Sequence, residues 1–171
     1  MSTRGVIGFY KNDAEKVGYN HFDSYPTGLG NDLIKFLKGK TVEDLNTICD
    51  SIALTDEDGK DAVEFLPGGE MSFNSFIEDY KSFLYDSLFC EYAYIINLDD
   101  NIVEFYRGFN KSPEGEGRYA SMTVDDGKRY YGVVLKQEIP LEKFFEGKVS
   151  ADDEKGLLLS KITLYKKERL E

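Results

Sequence analysis

Residues 3–10 and 17–24 both carry β-favourable side chains, and the polar stretch Lys11-Asn12-Asp13-Ala14-Glu15-Lys16 between them predicts an N-terminal hairpin. Pro26, Gly28 and Gly30 give Tyr25–Asn31 the punctuation of a loop. Leu33, Ile34 and Leu37 then fall at helical spacing, with Gly39 placed to end a short helix. Thr41 with Asp44 three positions on forms a capping box for a second helix striped by Val42, Leu45, Ile48 and Ile52. Residues 55–70 read as a loop. The strongest periodicity, Phe73, Phe76, Ile77, Tyr80, Phe83, Leu84 and Leu88, predicts an aromatic helix capped by Ser72, or by Ser75 with Glu78. A second hairpin follows at 92–98 and 101–107 around Asp99-Asp100, and 111–117 reads as exposed. Two further strands are expected at 119–124 and 129–136 around Asp125-Asp126-Gly127, then a short turn from Pro140 through Phe145. Ser150 and Asp153 start a C-terminal helix containing Leu158, Ile162 and Tyr165, with a strand through 157–165 as the competing reading. Runs of strands and runs of helices, without strict alternation, predict a single α+β domain over 1–171, with a mainly antiparallel sheet and several packed helices.

Charge narrows the function classes. Lys and Arg total 21 against 32 Asp and Glu, a net charge of −11, which disfavours direct binding to nucleic-acid backbones. Lys35, Lys38 and Lys40, and Lys166, Lys167 and Arg169, are short groups that read as cations near helix C-termini. The acidic clusters at 56–58, 99–100, 125–126 and 152–154 are dispersed, as expected of turns and helix starts, and 56–64 lacks the spacing of a calcium loop. No stretch approaches the roughly 18 apolar residues of a membrane span, and the N-terminus is too short and too soon interrupted for an export signal. With only Cys49 and Cys90, both on apolar helical positions, two free buried thiols in a reducing compartment are expected.

Candidate chemistry concentrates in Tyr19–Gly30, which holds the chain's only histidine. On an extended strand Tyr19, His21 and Asp23 share one face, and Asn20, Phe22 and Ser24 the other. A carboxylate two residues from an imidazole on one face can orient its tautomer, one ingredient of acid–base catalysis. The loop beyond then leads to a helix start near Asn31, where backbone N–H groups favour an anion and Gly28 and Gly30 permit close approach. Arg4 on the neighbouring strand adds a counter-charge. The same Tyr, Asn, His and Asp cluster beside a Pro-Gly turn equally suits a hydrogen-bonded corner that fixes the hairpin on the helix, and Asp32 already supplies negative charge at the helix start. No phosphate-loop or dinucleotide fingerprint is present, so no cofactor is expected.

Thr3-Arg4-Gly5 and the block from Tyr19 through Gly30 resemble a family of uncharacterised small proteins common in bacteriophage genomes. These carry a Thr-Arg-Gly strand, then a Tyr-Asn-His-Phe/Trp-Asp-Ser-Tyr-Pro…Gly-Leu-Gly block. The likeness spans roughly residues 1–40 and implies a phage or prophage protein in the host cytoplasm, with no activity attached. The expectation is a non-enzymatic accessory protein that binds a host or phage protein, or a small ligand, through Arg4, Tyr19, Asn20, His21, Asp23, Ser24, Tyr25, Gly28 and Gly30. The alternatives are a small hydrolase-like enzyme using His21 and Asp23, and an acidic mimic of nucleic acid. An exposed aromatic patch favours protein binding, a pocket under His21 favours the enzyme, and aligned carboxylates favour mimicry.

Overall fold

The computed structural model describes residues 3–52 and 78–160. The expected loop at 55–70, the first turns of the aromatic helix at 73–77 and the chain beyond 160 lie outside the described residues.

The N-terminal hairpin forms from β1 (Gly5–Lys11) and β2 (Ala14–Asn20), with the turn drawn tighter than the polar stretch suggested. Asn12 and Asp13 both take positive φ, the left-handed pair that a two-residue hairpin turn requires and that short polar side chains tolerate. A one-turn π-helix at Pro26–Gly30 replaces the expected loop and runs directly into α1 (Asn31–Leu37). In α2 (Val42–Ser51) the capping box is complete. The Thr41 hydroxyl accepts from the Asp44 N–H and the Asp44 carboxylate accepts from the Thr41 N–H. The described end of the aromatic helix is a 3-10 helix, Glu78–Tyr85. The second hairpin is as expected, with β3 (Tyr92–Asn97) and β4 (Ile102–Arg107) paired across Asp99-Asp100.

Three expectations fail farther along. No strand forms at 119–124, and β5 begins only at Val134 (Val134–Pro140). At 119–122 the chain turns, Met122 N donating to Tyr119 O at 3.0 Å, and at 127–130 the Asp125 carboxylate accepts from the N–H groups of Gly127, Arg129 and Tyr130, so these donors are spent on a side chain instead of a ladder. After α3 (Leu141–Phe145), which follows Pro140 as its cap, the expected C-terminal helix is a hairpin, β6 (Val149–Asp152) and β7 (Leu157–Ser160). The competing strand reading therefore holds for 157–160. Gln137 ties this hairpin to β5 with both ends of its amide, donating to Leu158 O at 2.6 Å and accepting from Leu158 N at 2.9 Å.

The main sheet has the order β2-β1-β3-β4-β5 and is mixed, because β1 and β3 run parallel while the other pairs are antiparallel. The helical segment after β2 returns the chain to the end at which β1 began, and β3 starts there. The fold is thus α+β, with three α-helices, all short, among the described residues. Strand alternation builds two cores. Ile7, Phe9, Tyr94, Ile96, Val103 and Phe105 face α1, α2, α3 and the β6–β7 hairpin. Val6, Ala93, Ile95 and Tyr106 face Leu84, Tyr119 and Val133. Burial on both faces explains the near-continuous apolar runs of β1 and β3. No helix among the described residues is long and apolar enough to cross a membrane.

Candidate functional site

The segment from Tyr19 to Gly30 folds as a corner, and its hydrogen bonds run inward. Asn20 Nδ2 donates to Phe22 O at 2.5 Å and to Ser24 Oγ at 2.8 Å. Ser24 is fully buried; its N–H donates to Thr3 O and its carbonyl accepts from the Tyr94 hydroxyl at 2.8 Å. Strand geometry ends at Asn20, and Asp23 takes φ 53°, so the face expected to carry His21 with Asp23 does not form. His21 Nδ1 lies 2.7 Å from the Tyr19 hydroxyl, whereas the Asp23 carboxylate bonds the Tyr25 hydroxyl and, with its charge, raises that phenol above its usual range. Asp23 therefore does not orient the imidazole.

The expected anion site is also filled from within. Asp153, in the β6–β7 turn, accepts from the Thr27 N–H at 2.9 Å and from the Thr27 hydroxyl. The next amides are spent as well, since Gly28 and Gly30 donate to Tyr25 O and Leu29 donates to Asp23 O. Neither glycine faces open space. A Cβ on Gly28 would stand 2.1 Å from Asp23 O, and one on Gly30 would meet Tyr94 and Leu158 at 3.3–3.4 Å. Their role is close packing of the corner. A carboxylate 126 residues away along the chain holds the helix start, and no local pattern in the sequence signals it.

What the corner presents outward is aromatic. Phe22 is 66% exposed and stands edge-on to the His21 ring, with centroids 4.5 Å apart. Arg4 turns away from the corner and lies over Phe89, 5.6 Å from the ring centroid, so it supplies no counter-charge to the 28–31 turn. The exposed large apolar side chains among the described residues are Phe22 (66%), Phe89 (48%), Phe109 (54%), Met122 (42%) and Val124 (52%). All five sit at one end of the sheet: Phe22 follows β2, Phe89 precedes β3, Phe109 follows β4, and Met122 and Val124 precede β5. Backbone bonds draw these segments together, Phe109 N to Ser87 O at 2.7 Å, Ser87 N to Tyr131 O at 3.0 Å and Glu91 N to Arg4 O at 3.0 Å. The opposite end is acidic, where Asp99 accepts from Asn12 N and Asp13 N and so joins the two hairpin turns.

Comparison with protein-family models, curated proteins and solved structures gave no match.

At the apolar end Phe89 and Val124 also line a cavity of about 180 Å3, shared with Leu88, Tyr130, Asp86, Asp125 and Arg129. Backbone N–H groups hold the Asp125 carboxyl below its usual range, and Arg129 Nε lies 3.6 Å from it. Burial pushes the Asp86 carboxyl up. Elsewhere the outer core holds a second polar group that sequence reading missed. Glu104, 3% exposed, accepts two bonds from Arg118 (2.8 and 2.5 Å), one from Tyr106 (2.9 Å) and one from Asn97 (3.1 Å). Arg118 also stacks 3.7 Å from the Tyr10 ring centroid. Every acceptor position of Glu104 that faces a donor is used, and the cluster pins the β4–β5 connection to the sheet. The one available signal was Glu104 at an inward strand position. Both thiols are buried and free, and burial raises both above their usual range, which makes them poor nucleophiles.

Proposed function

We propose that the chain is a non-enzymatic accessory protein of the bacteriophage type, a single domain acting in the host cytoplasm, that binds a host or phage protein through the apolar end of its sheet. The observation that carries the reading is the gathering of Phe22, Phe89, Phe109, Met122 and Val124 on loops at that one end. Exposed aromatics concentrated on loops that a rigid sheet holds in place are the usual material of a protein interface. The resemblance of Thr3–Gly5 and Tyr19–Gly30 to phage proteins supports the context. In this reading Asn20, Ser24, Tyr25, Gly28 and Gly30 form the scaffold that presents Phe22 and His21, and Arg4 belongs to the interface through Phe89.

The hydrolase reading has weaker support, because His21 and Asp23 point to different partners and the helix-start amides are occupied. Mimicry of nucleic acid fares no better, since Asp99, Asp125 and Asp153 are turned to backbone N–H groups. The test is affinity capture from bacterial lysate with the full chain, Phe22→Ser/Phe109→Ser and Asp13→Asn, followed by mass spectrometry. A protein retained by the wild type and by Asp13→Asn but lost from the double variant is expected. Equal retention by all three overturns the proposal.

A further inference from the structure

The cavity at the apolar end contains one charge without a counter-ion. Asp125 is accounted for by three backbone N–H groups and by Arg129, and Arg129 by Asp125. The Phe89 N–H donates to the Asp86 backbone carbonyl at 3.2 Å, and among the described residues no cation lies within ion-pair distance of the Asp86 carboxylate. Two further cations lie over rings of the cavity wall, Arg4 over Phe89 at 5.6 Å and Lys111 over Tyr130 at 5.5 Å, and neither pairs with Asp86. The remaining wall is apolar: Leu88, Phe89, Val124 and the Tyr130 ring.

We infer that this cavity receives a lysine or arginine side chain of the partner protein, its aliphatic stem against Leu88, Phe89 and Val124 and its charged head on Asp86. A flexible stem with a cationic tip covers apolar surface and reaches a carboxylate in one group. An anionic side chain would meet Asp86 and Asp125 together. The net charge of −11 adds a field that draws basic partners. The burial that holds the Asp86 carboxyl above its usual range also means that an arriving cation relieves a standing cost.

The inference rests on the protein-binding reading, so its test separates the two. The full chain, 15N-labelled, is titrated with n-butylammonium chloride, a lysine side-chain analogue, and with n-butanol at matched ionic strength. Millimolar binding is the range such a small ligand reaches. Saturable shifts at the Leu88, Phe89, Val124 and Tyr130 amides are expected with the amine, and about tenfold weaker binding for butanol and for Asp86→Asn, the size of one charge-assisted bond. Phe22→Ser/Phe109→Ser should bind the amine as the wild type does. Equal affinity for amine and alcohol, no effect of Asp86→Asn, or no shift at those amides overturns the inference. Should the double variant lose its captured protein while the amine does not bind, the interface stands and the cation pocket falls. Should the amine bind while capture is unaffected, a cation pocket remains but its assignment to the partner's side chain is overturned.

Discussion

Replacing Glu104 with Gln removes one charge from a buried, four-bonded carboxylate without changing its shape. The side chain is 4% exposed, so water cannot take over its role. Asn97, Tyr106 and both terminal nitrogens of Arg118 donate to it, and the new amide presents a donor where it presented only acceptors. Arg118, whose Nε is already buried without a partner, would be left with one Nη group facing a donor in place of an acceptor. Breaking a buried pair from one side costs about 3–5 kcal/mol. The Arg118 side chain is 30% exposed and regains part of its hydration, which sets the expectation near the lower limit, about 3 kcal/mol. For a chain of this length that corresponds to a fall of roughly 6–12 °C in Tm. Arg118→Met gives up the guanidinium's place over the Tyr10 ring and leaves Glu104 with two donors, and the double variant should recover about 1–3 kcal/mol of the summed loss. Urea titrations at 25 °C read all three. A loss under about 1 kcal/mol for Glu104→Gln, or strict additivity in the double variant, refutes the reasoning.

The corner gives a ranking. Asn20→Ala, which leaves Ser24 without its donor, should cost about 1–2 kcal/mol, and His21→Ala less than half of that; the reverse order in denaturant titrations contradicts the described bonding. The Asp125 carboxyl lies below its ordinary value of 3.8, so its stabilisation is present above that pH and is lost as pH falls through the lower folded value. Asp125→Ala should therefore be less stable than wild type at neutral pH, and the gap should close in the acid range below about pH 4; a gap independent of pH refutes the assignment. Cys49 and Cys90 should react with a thiol reagent only after denaturant is added, and rapid native labelling of either would show its burial to be wrong.

Local patterns were legible wherever neighbours in the chain are partners in the fold. The Thr41 and Asp44 cap, the Asp99-Asp100 hairpin and the N-terminal hairpin are of this kind. Tertiary partners erased other patterns. Residues 150–158 carry helix-start side chains, yet Asp153 is spent on Thr27 and the Leu158 backbone on Gln137, so the segment becomes a strand pair docked on β5. The parallel pairing of β1 with β3 follows from where the helical segment delivers the chain, which neither hairpin reveals. For the candidate site, the sequence marked Tyr19–Gly30 by its polar residues. Its polar residues bond inward, and the outward group is Phe22, which gains meaning only beside Phe89 and Phe109 from distant positions.

Binding through the apolar end of the sheet, as proposed above, is open to site-specific photocrosslinking in bacterial cells. A photoreactive phenylalanine analogue is placed in turn at Phe22 and Phe109, and at the exposed positions Asp100 and Glu142 toward the opposite end. One shared protein adduct from Phe22 and Phe109 and none from Asp100 or Glu142 is expected. Adducts formed equally at both ends, or only at the acidic end, would contradict it.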